Sequence, residues 1–317
     1  MAEIIPLPSR RSDAPLGSLW TSFERSLEAG RAKPKTLVTY RAAAQKYAEF
    51  ALDQGLPIDP VRIERRDLEV FMIDQLQHYA PATAANRFRA LHRFFSWLEE
   101  EEEIQASPMV RMQAPKVPVV LPEVIAEDSI RLLLKACEGR TFEGRRDAAL
   151  LSLLIDTGVR RSELADLRLD DVDLRAHTAK VMGKGSRERL APFGAVAARD
   201  LDRYLRFRDK HRRASSPWLW LGRRGKMTSS GVYQMVCDRA AQAGLANKVW
   251  PHLFRHTFAD SWLAAGGEEG DLMRIAGWQT RSMLDRYGAA QAGARAREAH
   301  KRFSPRDRLE DEGRGGK

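Results

Sequence analysis

Cysteine is nearly missing from this chain: there are two in 317 residues, Cys137 and Cys237. Two thiols on separate helix-like stretches make neither a disulfide framework nor a zinc-ligand pattern, and they suit a reducing cytoplasm. Long apolar runs are missing as well. No stretch reaches the roughly 18 residues that crossing a bilayer takes. The opening M1-A-E-I-I-P-L-P has neither the basic start nor the apolar core of a secretory signal. The expectation is an intracellular, soluble protein with no membrane partner. Acidic residues are in deficit, with 43 Asp and Glu against 53 Lys and Arg and a formal net charge of +10. Such an excess favours a polyanionic partner, DNA or RNA first.

The length allows two domains with their own cores. Residues 1–15 are polar and Pro-containing and read as a flexible arm. Helical stripes follow at Leu19, Trp20, Phe23 and Leu27, ending at Gly30, and at Leu37, Tyr40, Ala44, Tyr47 and Ala51. Thr36 is the expected N-cap of the second and Gly55 its stop. Leu68, Phe71, Met72 and Leu76 mark a third helix; Pro81 opens a fourth, with Phe88, Leu91, Phe95 and Leu98 at helical spacing. Helical period makes these aromatics core rather than base-stacking platforms. Residues 16–106 thus read as a four-helix domain whose exposed faces carry Lys33, Lys35, Arg41, Lys46, Arg87, Arg89 and Arg93, candidates for phosphate contact. The acidic run Glu99 to Glu103 would repel a DNA backbone and belongs at a helix end turned away from one.

Four prolines between Ser107 and Pro122, with little periodicity, mark an extended linker over 107–123. A second, mixed domain spans 124–303. Helices are expected at 127–137, 145–156, 196–208, 229–241 and 253–265, the second of them buried because A148-A-L-L-S-L-L-I155 is almost wholly apolar. Short strands are expected at 172–174, 178–182 and 189–193, with G183-K-G-S186 as the tight turn between the last two. A289 to F303 is rich in Ala, Arg and Glu and reads as a further helix, and the charged, Gly-rich residues 304–317 read as a disordered tail. The fold class is mainly α with a small antiparallel β-sheet.

Six residues carry the chemistry. They are Arg160 in T157-G-V-R-R-S-E163, Lys184 in V181-M-G-K-G-S186, and His252 with Arg255 in P251-H-L-F-R-H-T257. Trp278 in A276-G-W278 and Tyr287 in L284-D-R-Y287, nine residues apart, complete the set. Guanidinium stays charged at working pH and offers a planar fork to two phosphate oxygens, so two arginines suit phosphoryl transfer. A turn lysine between glycines is by itself an ordinary solvated charge. His252 and His256 stand four apart, a metal-pair spacing, but no Glu follows His252 and no third ligand is evident. No metal or other cofactor is expected.

In this order and setting the set resembles the catalytic residues of the tyrosine recombinases, the phage integrase family. HxxR alone is weak; HxxR followed by Gly-Trp and a tyrosine nine residues on is specific. The resemblance implies an N-terminal SAM-like core-DNA-binding domain and an α+β catalytic domain wrapping a duplex. It implies that Arg160 and Arg255 hold the scissile phosphate, with Glu163 orienting Arg160. By the same resemblance Lys184 protonates the leaving 5′-oxygen, with Lys180 as the fallback if the hairpin register differs. It makes His252 the base or hydrogen-bond partner, with His256 packed behind it, and leaves Trp278 to donate to a phosphate oxygen and support Tyr287. Tyr287 would attack to give a 3′-phosphotyrosyl link, so that neither ATP nor a metal is needed. The partners so implied are double-stranded DNA with paired half-sites and three further copies of the chain. Free protein would be a monomer or weak dimer in the cytoplasm, at the nucleoid, and the helix at 289–303 would dock on a neighbouring protomer. Phe254 for the usual Leu and A276-G-W278 for the commoner Leu-Gly-His are the departures, and neither removes a charge or the nucleophile. A type IB topoisomerase, a non-catalytic DNA-binding relative and a basic RNA-binding protein are the alternatives.

Overall fold

Proline opens three of the four N-terminal helices, where its fixed φ and missing N–H fit the first turn. These are α1 (Pro15–Ala29), α2 (Pro34–Asp53) and α4 (Pro81–Glu100). The exception is α3 (Arg65–His78), which starts on a reciprocal cap: Glu64 N donates to the Asp67 carboxylate at 2.9 Å. The structure, a computed structural model, describes residues 15–118, 122–183, 187–246, 248–281, 283–284, 297, 300 and 304. It divides into two compact units, 1–119 and 120–317.

Aromatic rings fill the first unit. Trp20 meets Phe94 at 4.9 Å, Phe23 meets Phe94 and Trp97 at 5.3 and 5.4 Å, and Tyr47 meets Phe71 edge-on at 5.4 Å. All of these rings are buried, as their helical period implies. Local details differ from expectation. Helix α2 begins two residues before its expected cap Thr36, because Pro34 suits the first helical position. Leu76 is 44% exposed, and the neighbouring Gln75 is buried in its place because its amide oxygen accepts from Arg87. The expected linker is also partly built in. Met109 is fully buried in the first core, and Ser107 caps the turn that places it by accepting from Met109 N. Glu99, at the head of the acidic run, accepts from Ser107 N.

In the second unit, α5 (Glu127–Lys135) precedes the buried α6 (Phe142–Thr157), which Thr141 caps by accepting from Gly144 N at 3.0 Å. A single turn, α7 (Arg161–Ala165), leads to a three-stranded antiparallel sheet of β1 (Val172–Asp173), β2 (Thr178–Met182) and β3 (Glu188–Pro192). Register runs from Thr178 opposite Pro192 to Met182 opposite Glu188. Then come α8 (Ala195–Arg208), the small hairpin β4 (Leu221–Gly222) and β5 (Gly225–Lys226), and α9 (Ser229–Gln242). Helices α10 (Pro251–Ala264) and α11 (Glu269–Ala276) follow. The α7 turn, the β4–β5 hairpin and α11 were not expected, being too short for a periodic pattern to register.

One core joins α5 to α10 with the sheet, and a smaller one gathers Ala259, Leu263, Leu272, Ala276, Trp278 and Leu284. Ser304, expected to begin a disordered tail, is buried. Most of 289–303, the rest of the tail and residues 1–14 lie outside the described residues.

Candidate active site

Gly158 ends α6 in the left-handed region at φ 55°, and a Cβ there would sit 2.6 Å from the Phe258 ring. Conformation and space both demand glycine. The turn carries the chain through buried Val159 to Arg160, the residue that caps α7. Arg160 meets Glu163 twice: its backbone N donates to Oε2 at 3.0 Å and its Nη1 to Oε1 at 2.7 Å. Glu163 is 6% exposed and takes a second guanidinium, Arg189 Nη2 from β3, at 2.7 Å. Burial pushes the Glu163 pKa up, but hydrogen bonds from Arg189 and from the backbone and side chain of Arg160 outweigh it, holding it below the ordinary carboxylate value. The carboxylate stays charged and fixes the Arg160 guanidinium, whose side chain is 35% exposed.

Arg255, on α10, is 3% exposed. Its Nη1 donates to Gly158 O at 2.8 Å and its Nη2 to Ala276 O at 2.6 Å. These two carbonyls, from separate elements, hold the buried guanidinium in place. Its Cζ lies 5.3 Å from the Trp278 ring centroid. Trp278 is 6% exposed, packs with Leu272 and Leu284, and buries its indole nitrogen, while the Tyr287 it is expected to support lies outside the described residues.

His252, at the start of α10, is exposed and meets the His256 ring edge-on at 4.4 Å, with His256 half-buried behind it. Its pKa lies below the ordinary histidine value, first because the protein desolvates part of the ring and then because Arg255 and Arg160 are close. Both arginines therefore act on this ring, which is neutral at pH 7. Among the described residues no group of three His, Cys, Asp or Glu is placed to hold a metal.

Lys184 and Tyr287 lie outside the described residues. Their approaches do not: a Cβ on Gly183 would sit 3.9 Å from Glu163 Oε1, and Leu284 is buried beside Trp278. Lys180, the fallback lysine, lies 3.9 Å from both Asp171 and Glu188. Arg189 entered the sequence reading only as the first residue of an expected strand, with no role. The signal was in strand alternation, which puts it on the inward side of β3 with Ala191, where an arginine needs a partner.

The basic residues of the first unit divide. Arg41 makes two bonds to Glu24 at 2.7 and 2.6 Å, Lys46 pairs with Glu49 at 2.8 Å, and Arg93 pairs with Glu100 at 3.0 Å. Arg87 bonds Gln75 and lies 3.9 Å over the Tyr79 ring. These four are half-buried, not on open faces as expected, because each has a partner on a neighbouring turn or helix. Lys33, Lys35 and Arg89 are exposed, Arg89 while donating to Asn86 one turn away at 2.9 Å.

Residues 123–293 match the phage integrase family. The chain is 30% identical over 276 residues to the tyrosine recombinase XerD of Listeria innocua serovar 6a, spanning 86% of this chain and 93% of the relative. Among solved structures, a XerH site-specific recombinase bound to palindromic difH substrate, in a post-cleavage complex, shares the fold at TM-score 0.70 and 18% identity, over 89% of this chain and 84% of that one. A lambda integrase tetramer bound to a Holliday junction shares it at TM-score 0.65 and 17% identity, over 88% and 82%. No helix among the described residues is long and apolar enough to cross a membrane. The family match spans more than half of the chain and encloses Arg160, His252, Arg255 and Trp278, so the protein belongs to the phage integrase family of tyrosine recombinases.

Proposed function

We propose that this recombinase cuts and rejoins DNA with Tyr287 as its nucleophile and Arg160 and Arg255 on the scissile phosphate. The carrying observation is that Arg160 and Arg255, from separate elements, are each fixed by protein acceptors, with Arg255 bonded to Gly158 O two residues before Arg160, and that both charges help to lower the His252 pKa. Preorganised positive charge of this kind stabilises the extra charge on a pentacoordinate phosphate. Tyr287 Oη attacks phosphorus, its phenolic proton passing to His252 or solvent, while the bond from phosphorus to the 5′-oxygen breaks. Lys184 gives that oxygen its proton. The phosphoester energy stays in the 3′-phosphotyrosyl link, and the reverse reaction with another 5′-hydroxyl rejoins the strand. A neutral His252 suits the proton-accepting role.

Two protomers on paired half-sites and four in a synapse resolving through a Holliday junction complete the proposal, and the lambda integrase tetramer supports it by analogy of fold. Free protein is then a monomer or weak dimer in the cytoplasm. Of the N-terminal basic residues, Lys33, Lys35 and Arg89 are the better phosphate contacts, being exposed.

The test is covalent trapping on a nicked core site. Tyr287→Phe keeps the ring and loses only the attacking oxygen, so trapping should vanish while DNA affinity holds within about a few-fold. A Tyr287→Phe protein that still forms the adduct would move the nucleophile, with Tyr233 next to examine.

A further inference from the structure

Arg189 joins two parts of the site that the sequence separates. Its Nη2 donates to Glu163 Oε2 at 2.7 Å and its Nε to Ile275 O at 2.8 Å. Its side chain is 12% exposed and lies across Gly277, the left-handed cap of α11 at φ 65°. A Cβ on Gly277 would come within 3.1 Å of the Arg189 chain.

These contacts close a ring. Arg160 bonds Glu163, and Glu163 bonds Arg189. Arg189 holds Ile275, whose neighbour Ala276 accepts from Arg255. Arg255 in turn donates to Gly158, two residues before Arg160. Without Arg189, Glu163 and the end of α11 keep no hydrogen bond in common through this arginine, and the ring opens between the two phosphate-binding candidates.

We infer that Arg189 is a positioning residue that sets the Arg160 guanidinium relative to the Arg255 guanidinium and the Ala276–Trp278 turn. The inference rests on the proposal that both arginines hold the scissile phosphate. It follows from bond geometry: a planar fork with two fixed acceptors on different elements constrains both, whereas an ammonium on a flexible stem cannot. Displacement of a reacting group by about 1 Å is enough to slow catalysis a hundredfold.

The experiment measures covalent-complex formation on two nicked core duplexes, one with a normal scissile phosphate and one with a methylphosphonate there. The methyl group removes the negative charge that the arginines neutralise. Arg189→Met should form the adduct about tenfold to a hundredfold more slowly on the phosphate while binding DNA normally. On the methylphosphonate, its deficit relative to the parent protein should shrink to less than about threefold, since the interaction being mispositioned no longer matters. Arg160→Ala, run alongside, should show the same dependence on substrate. Equal loss by Arg189→Met on both substrates marks a general structural defect and overturns the inference, and so does normal cleavage of the phosphate. If Arg160→Ala is impaired only on the phosphate while Arg189→Met is normal, only the positioning role fails. If Arg160→Ala cleaves the phosphate normally, the assignment of Arg160 fails instead. Should Arg189→Met not fold, Arg189→Lys keeps a charge beside Glu163 but cannot reach Ile275 O at the same time. An intermediate loss confined to the phosphate is then expected, and full activity would overturn the inference.

Discussion

Asp147 and Glu163 are buried carboxylates in the same unit, 3% and 6% exposed, each held by two guanidiniums. At Asp147 the partners are Arg146 at 2.8 Å and Arg239 at 2.9 and 2.7 Å. Both arginines also reach backbone acceptors, Arg146 on Leu221 O and Arg239 on Ala136 O, and their side chains are only 11% and 16% exposed. That cluster ties α6, α9, the end of α5 and β4 together. At Glu163 one guanidinium, Arg189, is turned inward in the same way, but the other, Arg160, remains 35% exposed. A buried ion cluster whose members all face protein is a staple. One that leaves a fixed guanidinium partly exposed, as at Arg160, keeps a charge for a group outside the protein, which on the proposed function is a phosphate.

The largest expected effect breaks the staple. Asp147→Ala leaves two guanidiniums without their carboxylate, and removing one partner of a buried ion cluster costs on the order of 3–5 kcal/mol. Chemical denaturation should show that loss, while cleavage per folded molecule stays near that of the parent. A cleavage defect larger than the folded fraction accounts for would mean that the two clusters are not separate in function. The next effect is on the other side of the comparison. Arg160→Ala or Arg255→Ala should slow single-turnover cleavage by about a hundredfold or more, since one preorganised donor to a transition-state oxygen is worth several kcal/mol. Arg160→Lys should recover little of it, because an ammonium cannot make the paired contact. Near-parental cleavage by Arg160→Lys would reduce Arg160 to a backbone contact.

The same comparison explains what was legible beforehand. Arg160, Glu163, His252, Arg255 and Trp278 sit in local motifs, and local motifs survive in one dimension. The helices α2, α4, α6 and α8 to α10 were also readable, because long amphipathic or apolar patterns dominate their windows. Arg189, Arg239 and Arg208 were not. Arg208 looks like the solvated end of a helix, yet it is 1% exposed and donates to the carbonyls of Ala214, Ser216, Trp218 and Leu219. Nothing in its neighbours along the chain says that a loop will fold back over it. The half-buried state of Arg41 and Arg87 was missed for a similar reason, since their partners Glu24 and Gln75 come from other helices. Composition counts charges, but whether a charge is spent inside the protein depends on tertiary pairing.

The smallest effect sharpens the comparison by titration. Arg160 and Arg189 hold Glu163 charged, whereas Arg160 and Arg255 help to hold His252 neutral. Both folded-state pKa values therefore lie below their unfolded ones, and both contributions to stability fade on acidification, in different windows. The Glu163 contribution is lost as pH falls below the ordinary carboxylate value of about 4.3, through its lowered folded value. For His252 the loss begins earlier, as pH falls below about 6.5, where the unfolded imidazole gains a proton that the folded one refuses. The kcat/KM for cleavage, which reports groups of the free protein, should therefore be insensitive to His252 titration between pH 7 and 8, and decline below it as a charged ring can no longer accept a proton. An imidazole NMR titration of the free protein should give a His252 midpoint below the ordinary value. Arg160→Met should move it upward by removing one of the repelling charges, and bound DNA should move it upward by supplying phosphate. A free-protein midpoint at or above the ordinary value, or one that Arg160→Met leaves in place, would mean that the guanidiniums do not act on this ring, and the shared site would lose its electrostatic link.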